Sequence, residues 1–233
     1  MIIQIKVQKG GIGKSFITAN LGGLLAKLNK KTIILTTDLQ NSVYSIFHKE
    51  SNLEIKAGLK RSIKNNKIYS ISLRENLDYI PLTEELKLLK KEKIHAFFST
   101  LKENYEYILI DSTPTINIDD IFLEISDKII IPANGDKLTI EGVINIIKKE
   151  GNKISCIVFN KFNYTSLNKK YYEELTKICK NTNILVPKPI PQWSYLNELV
   201  EKSKVIWESK SKNKKLDEVQ SIFLEIFEHL LEY

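Results

Sequence analysis

The residues best suited to chemistry are concentrated in Gln8-Lys9-Gly10-Gly11-Ile12-Gly13-Lys14-Ser15, which follows the apolar alternation Ile3, Ile5, Val7 and precedes a helical run. Glycines at this spacing let backbone N–H groups curl around phosphate oxygens at a helix N-terminus, where orphan donors and the helix dipole already favour an anion. Gly10, Gly11 and Gly13 permit backbone angles and close approaches that a Cβ forbids. Lys14 places a point charge on β- and γ-phosphates, and the Ser15 hydroxyl is a ligand for Mg2+. The order strand, loop, helix is the context a P-loop requires; the alternative is a chance glycine-lysine turn. Lys9, at the mouth of the loop, is not needed to cradle phosphates in cis and so is free to reach a nucleotide held by a second subunit.

Two carboxylates end strands downstream. Thr32–Thr37 is a short apolar strand running into Asp38, at the carboxyl end where open α/β sheets place their chemistry, so 38–42 is a candidate switch loop. Asn41 or Ser42 caps a helix through His48. Tyr107-Ile-Leu-Ile-Asp111 is the clearest strand of the chain and ends in the acid expected to hold Mg2+ or its water shell beside the P-loop. An ordinary strand-end aspartate is the alternative for Asp111.

These residues need a frame. Strands are expected at 2–8, 32–37, 77–81, 107–111, 129–132, 154–159 and 184–186. Helices are expected at 14–29, 84–104, 137–149, 166–180, 192–203 and 216–233, with 51–62 irregular and basic. Ile17, Leu21, Leu24, Leu25 and Leu28 share one face of the first helix; Leu86, Leu89, Ile94, Phe97, Phe98 and Leu101 are core candidates of the 84–104 helix. Strands alternating with helices imply an α/β fold, a mostly parallel twisted sheet with helices on both faces. No internal repeat or linker interrupts 1–233, and 233 residues is the upper range of one domain that needs no staple, so one domain is expected.

Composition narrows the partners. Lys+Arg 35 against Asp+Glu 28 gives a net charge of +7, which favours an anionic partner, although only Arg61 and Arg74 among the basic residues are arginine. Cys156 and Cys179 form no Cys-x-x-Cys and read as reduced, core-filling thiols of a cytoplasmic protein. The first residues form a strand rather than a leader, and no segment has the roughly 18 consecutive apolar residues of a membrane span. A soluble chain is expected.

The pattern as a whole resembles the ParA/MinD family of deviant Walker-A P-loop ATPases, most closely its short ParA-type partition members. Lys9-Gly-Gly-Ile-Gly-Lys-Ser15 resembles the family's deviant loop with its second lysine. Thr36-Thr-Asp-Leu-Gln40 is similar to its Asp-x-Asp-Pro-Gln switch, and Tyr105-Glu-Tyr-Ile-Leu-Ile-Asp-Ser-Thr-Pro114 to its Tyr-Asp-Tyr-hydrophobic-Asp-x-Pro-Pro segment. Thr139-Ile-Glu-Gly-Val143 resembles its Ala-Leu-Glu-Gly-Leu helix start, and Pro189-Ile-Pro191 falls where the family has an Ile-Pro. Departures are Thr36 for the first switch acid, Leu39 for the switch proline, Thr113 for the first of two prolines, and Gln192 for a frequent arginine. The resemblance implies a slow, partner-stimulated Mg2+-dependent ATPase that forms an ATP-dependent sandwich homodimer. ATP would be held by Gly10, Gly11, Ile12, Gly13, Lys14, Ser15 and Phe16, with Asn160 and Pro191 at the base; Asn160 alternatively caps the next turn. Mg2+ would be held by Ser15 and Asp111. Lys9 would cross to the partner's phosphates, and Asp38 would orient the attacking water.

With the loop this close to residue 1, no N-terminal helix-turn-helix is expected, and any DNA contact is expected on the ATPase surface. Lys202, Lys204, Lys210, Lys212, Lys214 and Lys215 lie within 14 residues that contain one acid, Glu208. Such a run suits phosphates rather than bases, and Lys212 falls close to a family arginine implicated in non-specific DNA binding. A solvated lysine face is the alternative, and Lys56, Lys60, Arg61, Lys64 and Lys67 form a weaker second run. The last helix carries Leu216, Val219, Phe223, Ile226, Phe227, Leu230 and Leu231 at helical spacing, but no Lys or Arg follows Lys215. A membrane-surface helix normally has a basic polar face, so this one is expected to pack on the sheet, with no stable membrane association. The function so implied is DNA segregation by a nucleoid-bound ATPase released by a centromere-bound adaptor. The second class is a MinD-like or cargo-positioning ATPase. The third, a cluster-bearing electron-transfer ATPase, needs cysteines earlier in the chain.

Overall fold

The computed structural model describes residues 1–7, 10–49, 57–87, 89–113 and 118–232. Seven strands form one sheet: β1 (Ile2–Lys6), β2 (Thr32–Thr36), β3 (Ile71–Arg74), β4 (Leu77–Ile80), β5 (Tyr107–Ser112), β6 (Lys128–Ala133) and β7 (Ile154–Phe159). Their order is β3-β4-β2-β5-β1-β6-β7. All pairs are parallel except β3 with β4, a hairpin that closes one edge. The central strands are buried along their whole length, as expected of a parallel sheet covered on both faces.

On one face lie α1 (Lys14–Lys27), α2 (Ser42–Phe47), α8 (Ser194–Glu201) and α9 (Lys214–Glu232), sharing a core with Ile3, Ile5, Ile34 and Leu109. On the other, α3 (Leu59–Asn65), α4 (Lys91–Asn104) and α5 (Ile118–Ile125) bury Ile2, Ile33, Leu35, Ile108 and Ile110. α6 (Lys137–Glu150) and α7 (Ser166–Cys179) cover the β6–β7 end. The alternation of side chains along β2 and β5 thus sends Ile34 and Leu109 toward α1, and two residues further on it sends Thr36 and Asp111 the same way.

Several expectations are corrected. The 84–104 helix begins only at Lys91; before it, Leu86 is buried beneath α3 and α4 along a non-helical path, and Leu88 lies outside the described residues. The basic segment expected to be irregular becomes helical from Leu59, with 51–56 outside the described residues. Ile184–Val186 contributes a single bridge, Cys156 with Leu185, rather than a strand. β3 and α5 were not expected at all. Leu28 and Leu231, assigned to apolar faces, are 42% and 56% exposed; each lies at the C-terminal end of its helix. The other α9 positions are buried except Phe227, which packs at the core's margin; α9 lies on the sheet as expected. Both cysteines are free and buried, and burial pushes both thiols up in pKa.

The loop after β2 is pinned by a residue the sequence had offered only as a cap. Asn41, at φ 49, makes no helix-cap bond. Its Oδ1 accepts from Tyr79 Oη and Leu82 N–H, both at 2.9 Å, and its Nδ2 donates to Leu82 O at 2.9 Å and Leu39 O at 3.1 Å. Burial holds the Tyr79 phenol well above its usual pKa, so it remains a donor. Replacement Asn41→Ala orphans two donors and is expected to cost about 2 kcal/mol, read as a lowered urea midpoint at constant m-value.

Candidate phosphate and metal site

Register builds the site. Thr36 pairs with Asp111 across β2 and β5, and Asp111 with Ile5 across β5 and β1, so the acid sits where the chain leaves β1 for the glycine loop. That loop turns left-handed at Gly11 (φ 81) and Gly13 (φ 90), and Gly13 is the N-cap of α1. A side chain at Gly13 would be strained and would collide with Asn160 Nδ2.

Helix geometry then aims three side chains of the first turn of α1 at one carboxylate. Lys14 Nζ lies 2.6 Å from Asp111 Oδ1; Ser15 Oγ donates to Oδ2 at 3.1 Å, and Thr18 Oγ1 to Oδ1 at 3.1 Å. Thr36 Oγ1 approaches Oδ2 at 3.3 Å from the neighbouring strand. Asp111 is fully buried and Lys14 nearly so. Although close enough for an ion pair, Lys14 Nζ is not aligned for a hydrogen bond, and its donors are unmatched among the described residues. A buried ammonium with free donors, beside a left-handed glycine loop with open space at Gly10 and Gly11, fits a polyphosphate. The hydroxyl-ringed carboxylate fits a Mg2+ ion or its waters. Lys14 and the loop amides of 10–16 would hold the phosphates, and Ser15 with Asp111 the metal; the metal would supply charge neutralisation for phosphoryl transfer.

The remaining expected residues fall in three groups. Asp38 joins the site through Thr36, whose Oγ1 accepts the Asp38 N–H at 3.0 Å; Asp38 Oδ1 accepts from Gln40 N–H at 2.9 Å. Asn160 is buried against the loop rather than free, donating Nδ2 to Ile12 O at 2.9 Å. The Phe16 ring packs edge-on against Phe223 at 6.4 Å, and buried Pro191 bridges to Phe162 beside Asn160. Lys9 and Pro114 lie outside the described residues. Three contributors went unrecognised in the sequence. Thr18 was findable, three residues after Ser15 on the same helix face. Thr36 had been noted only as a missing acid. Lys161 donates to Gly11 O at 2.9 Å from a left-handed residue (φ 54), and nothing in its spacing announces this.

On the α1 side of the molecule, Lys204, Lys210, Lys212, Lys214 and Lys215 are all exposed. Glu208, the one acid in their run, is turned away: Arg74 Nε donates to its Oε1 at 2.6 Å, and the Val205 N–H to its Oε2 at 2.9 Å. The segment is moored to α1 by Asn20, which accepts from Ile206 N–H at 2.8 Å and Trp207 Nε1 at 2.7 Å. Lys215 Nζ lies 5.0 Å from the centre of the Trp193 ring. Among the described residues none of these five lysines has an ion-pair partner. In the weaker second run Lys60 is paired with Glu84 at 2.9 Å, Lys67 lies over the Tyr69 ring, and Lys56 is outside the described residues.

A family model described as an AAA domain matches residues 1–161, which span the glycine loop, the strand-end acids Asp38 and Asp111, and Asn160. The chain belongs to the ParA/MinD family of P-loop ATPases. An uncharacterized protein of Methanocaldococcus jannaschii is 30% identical over 222 residues, 82% of this chain and 85% of its own length. A putative plasmid partition protein of Borrelia burgdorferi, solved bound to AMPPNP, is 26% identical, covers 97% of both chains and superposes with a TM-score of 0.74. The MinD cell division protein of Aquifex aeolicus shares the fold at 20% identity and a TM-score of 0.76, over 100% of this chain and 97% of its own. The family match ends before the lysine run, so that surface is not part of what the family model describes.

Removing Lys14 should do two separable things. Lys14→Ala is expected to abolish nucleotide binding and to cost the apo protein about 3 kcal/mol by stranding a buried carboxylate. Adding Asp111→Asn should recover most of that stability in a urea titration while leaving a fluorescent ATP analogue unbound.

Proposed function

We propose that this chain is an ATP-hydrolysing DNA-segregation protein. Bound ATP and Mg2+ at Lys14, Ser15 and Asp111 favour a face-to-face homodimer, with Lys9 reaching the partner's phosphates; the dimer holds DNA without sequence preference through Lys204, Lys210, Lys212, Lys214 and Lys215. A centromere-bound adaptor stimulates hydrolysis, with Asp38 orienting water, and so releases the dimer from nucleoid DNA in a bacterial cytoplasm. Asn160 and Pro191 flank the base, and Phe16 contributes its backbone to the phosphate loop. The residues of 1–233 act as one domain.

The observation that carries this reading is the lysine run freed of its only acid. With Glu208 committed to Arg74, five exposed ammonium groups stand together on one segment, a charge distribution suited to phosphates. The likeness to a partition protein solved with AMPPNP supports the nucleotide and the cellular role alike. A second reading, positioning of a protein cargo or action at a membrane, draws on the MinD fold and on exposed Leu224 and Leu231 of α9. The acidic outer face of α9, with Asp217, Glu218, Glu225, Glu228 and Glu232, opposes an anionic bilayer.

The test is retention of the protein on DNA and on anionic liposomes with ATP, ADP or no nucleotide across a salt series. Retention on DNA only with ATP, falling steeply with salt, is expected; retention on liposomes alone would overturn the segregation role. Charge reversal at Lys212 with Lys214 should weaken retention on every sequence and flatten the log–log salt slope by about 2. Asp38→Ala is expected to bind ATP normally and dimerise, with turnover lost, as read by light scattering and phosphate release.

A further inference from the structure

Two threonines near the site join the segment that carries Asp38 to the strand that carries Asp111. Thr37 and Thr113 stand where β2 and β5 give way to their loops, and they close a cycle of hydrogen bonds. The Thr113 N–H donates to Thr37 Oγ1 at 2.7 Å, the two hydroxyls lie 2.9 Å apart, and Thr113 Oγ1 donates to Thr37 O at 3.1 Å. Thr37 N–H in turn donates to Asp111 O at 3.1 Å. One assignment of protons satisfies every member: Thr113 hydroxyl to Thr37 carbonyl, Thr37 hydroxyl to Thr113 oxygen, and Thr113 amide to Thr37 oxygen. Thr37 is buried, where such bonds are shielded from water.

The geometry points to a clasp between Thr37 and Thr113 that joins the start of the loop after β2 to the end of β5 as a single positioning unit for Asp38. This depends on residues particular to this chain. In the motif that the chain resembles, the position of Thr113 is proline, which has neither an amide N–H nor a hydroxyl, so none of the three contacts from Thr113 would exist. Thr37 is flanked by Thr36, whose hydroxyl receives the Asp38 amide and approaches Asp111 Oδ2, and by Asp38 itself. Residues 36 and 37 are therefore tied to Asp111 and Thr113, and Asp38 is tied to Thr36 through its own amide. A shift at Thr113 moves Thr37, and Asp38 is held at a fixed setting relative to Asp111. The role assigned to Asp38 rests on the ATPase reading above; the clasp itself does not.

The experiment uses the full chain and four variants: Thr37→Val, Thr113→Val, the double variant, and Thr113→Ser. With ATP and Mg2+, each valine variant is expected to lower kcat by roughly tenfold, the size of one or two lost hydrogen bonds, while the affinity for a fluorescent ATP analogue changes by less than about twofold. The double variant should lose distinctly less than the product of the two single losses, and Thr113→Ser, which keeps both donors, should match the parent. Additive losses in the double variant, or parental kcat in the single ones, would overturn the clasp. Should the parent chain itself not hydrolyse ATP, the ATPase reading falls, and hydrogen exchange decides the clasp separately. In Thr113→Val the amides of 37–41 should then exchange roughly fivefold faster than in the parent, and unchanged exchange would overturn it.

Discussion

The structure depends on one buried carboxylate. Asp111 has no access to water, and a lone charge in such a place is costly, so its surroundings are organised to hold it: an ammonium at 2.6 Å and hydroxyls from α1 and β2. Each partner comes from an element fixed by something else. Lys14, Ser15 and Thr18 follow from the turn of α1 after a left-handed Gly13, and Thr36 from strand register. The same contacts that make the acid tolerable in the resting fold are the groups that phosphate and metal would engage. Such ligands would therefore exchange partners with a cluster that is already assembled.

A second polar cluster mirrors the first on the opposite face of the sheet. Gln4 Nε2 and Ser112 Oγ both donate to Asp119 Oδ1, at 2.7 and 2.5 Å, and Lys6 pairs with the other oxygen. Lys6 and Ser112 are register partners one step beyond Ile5 and Asp111, which sends them to the α5 side. Burial depresses the Lys6 pKa, and Coulombic attraction to Asp120 opposes this. The strand before the glycine loop and the strand bearing Asp111 are thus locked together from below as well as above, and α5 is fastened to both of them through Asp119.

What could be read from the sequence follows from which signals are local. The apolar runs Ile33–Leu35 and Ile108–Ile110 could only be buried central strands, and Gly10 to Ser15 carries its chemistry in its own spacing. β3 was hidden because Ile71-Ser-Leu-Arg74 is short and half polar, as an edge requires, and α5 because Ile118–Ile125 lies close after the strand that ends in Asp111. Glu84–Lys87 has helix-forming composition, yet it is not helical, and Leu86 is buried in the core shared by α3 and α4, a tertiary demand that propensity does not contain. In the site, the groups missed act through contacts of long sequence separation: Thr37 with Thr113, Lys161 with Gly11, Arg74 with Glu208. No pattern in one stretch reports such pairings.

The hairpin edge carries a further consequence. β3 has four residues, its pairing with β4 is irregular between Ser72 and Arg74, and Arg74 is drawn aside by Glu208 and the Ser203 carbonyl. A ragged margin of this kind offers an incoming chain no continuous ladder to extend. Growth of a continuous sheet from one molecule to the next across that margin is therefore disfavoured, and a neighbour there would meet side chains rather than an open backbone ladder.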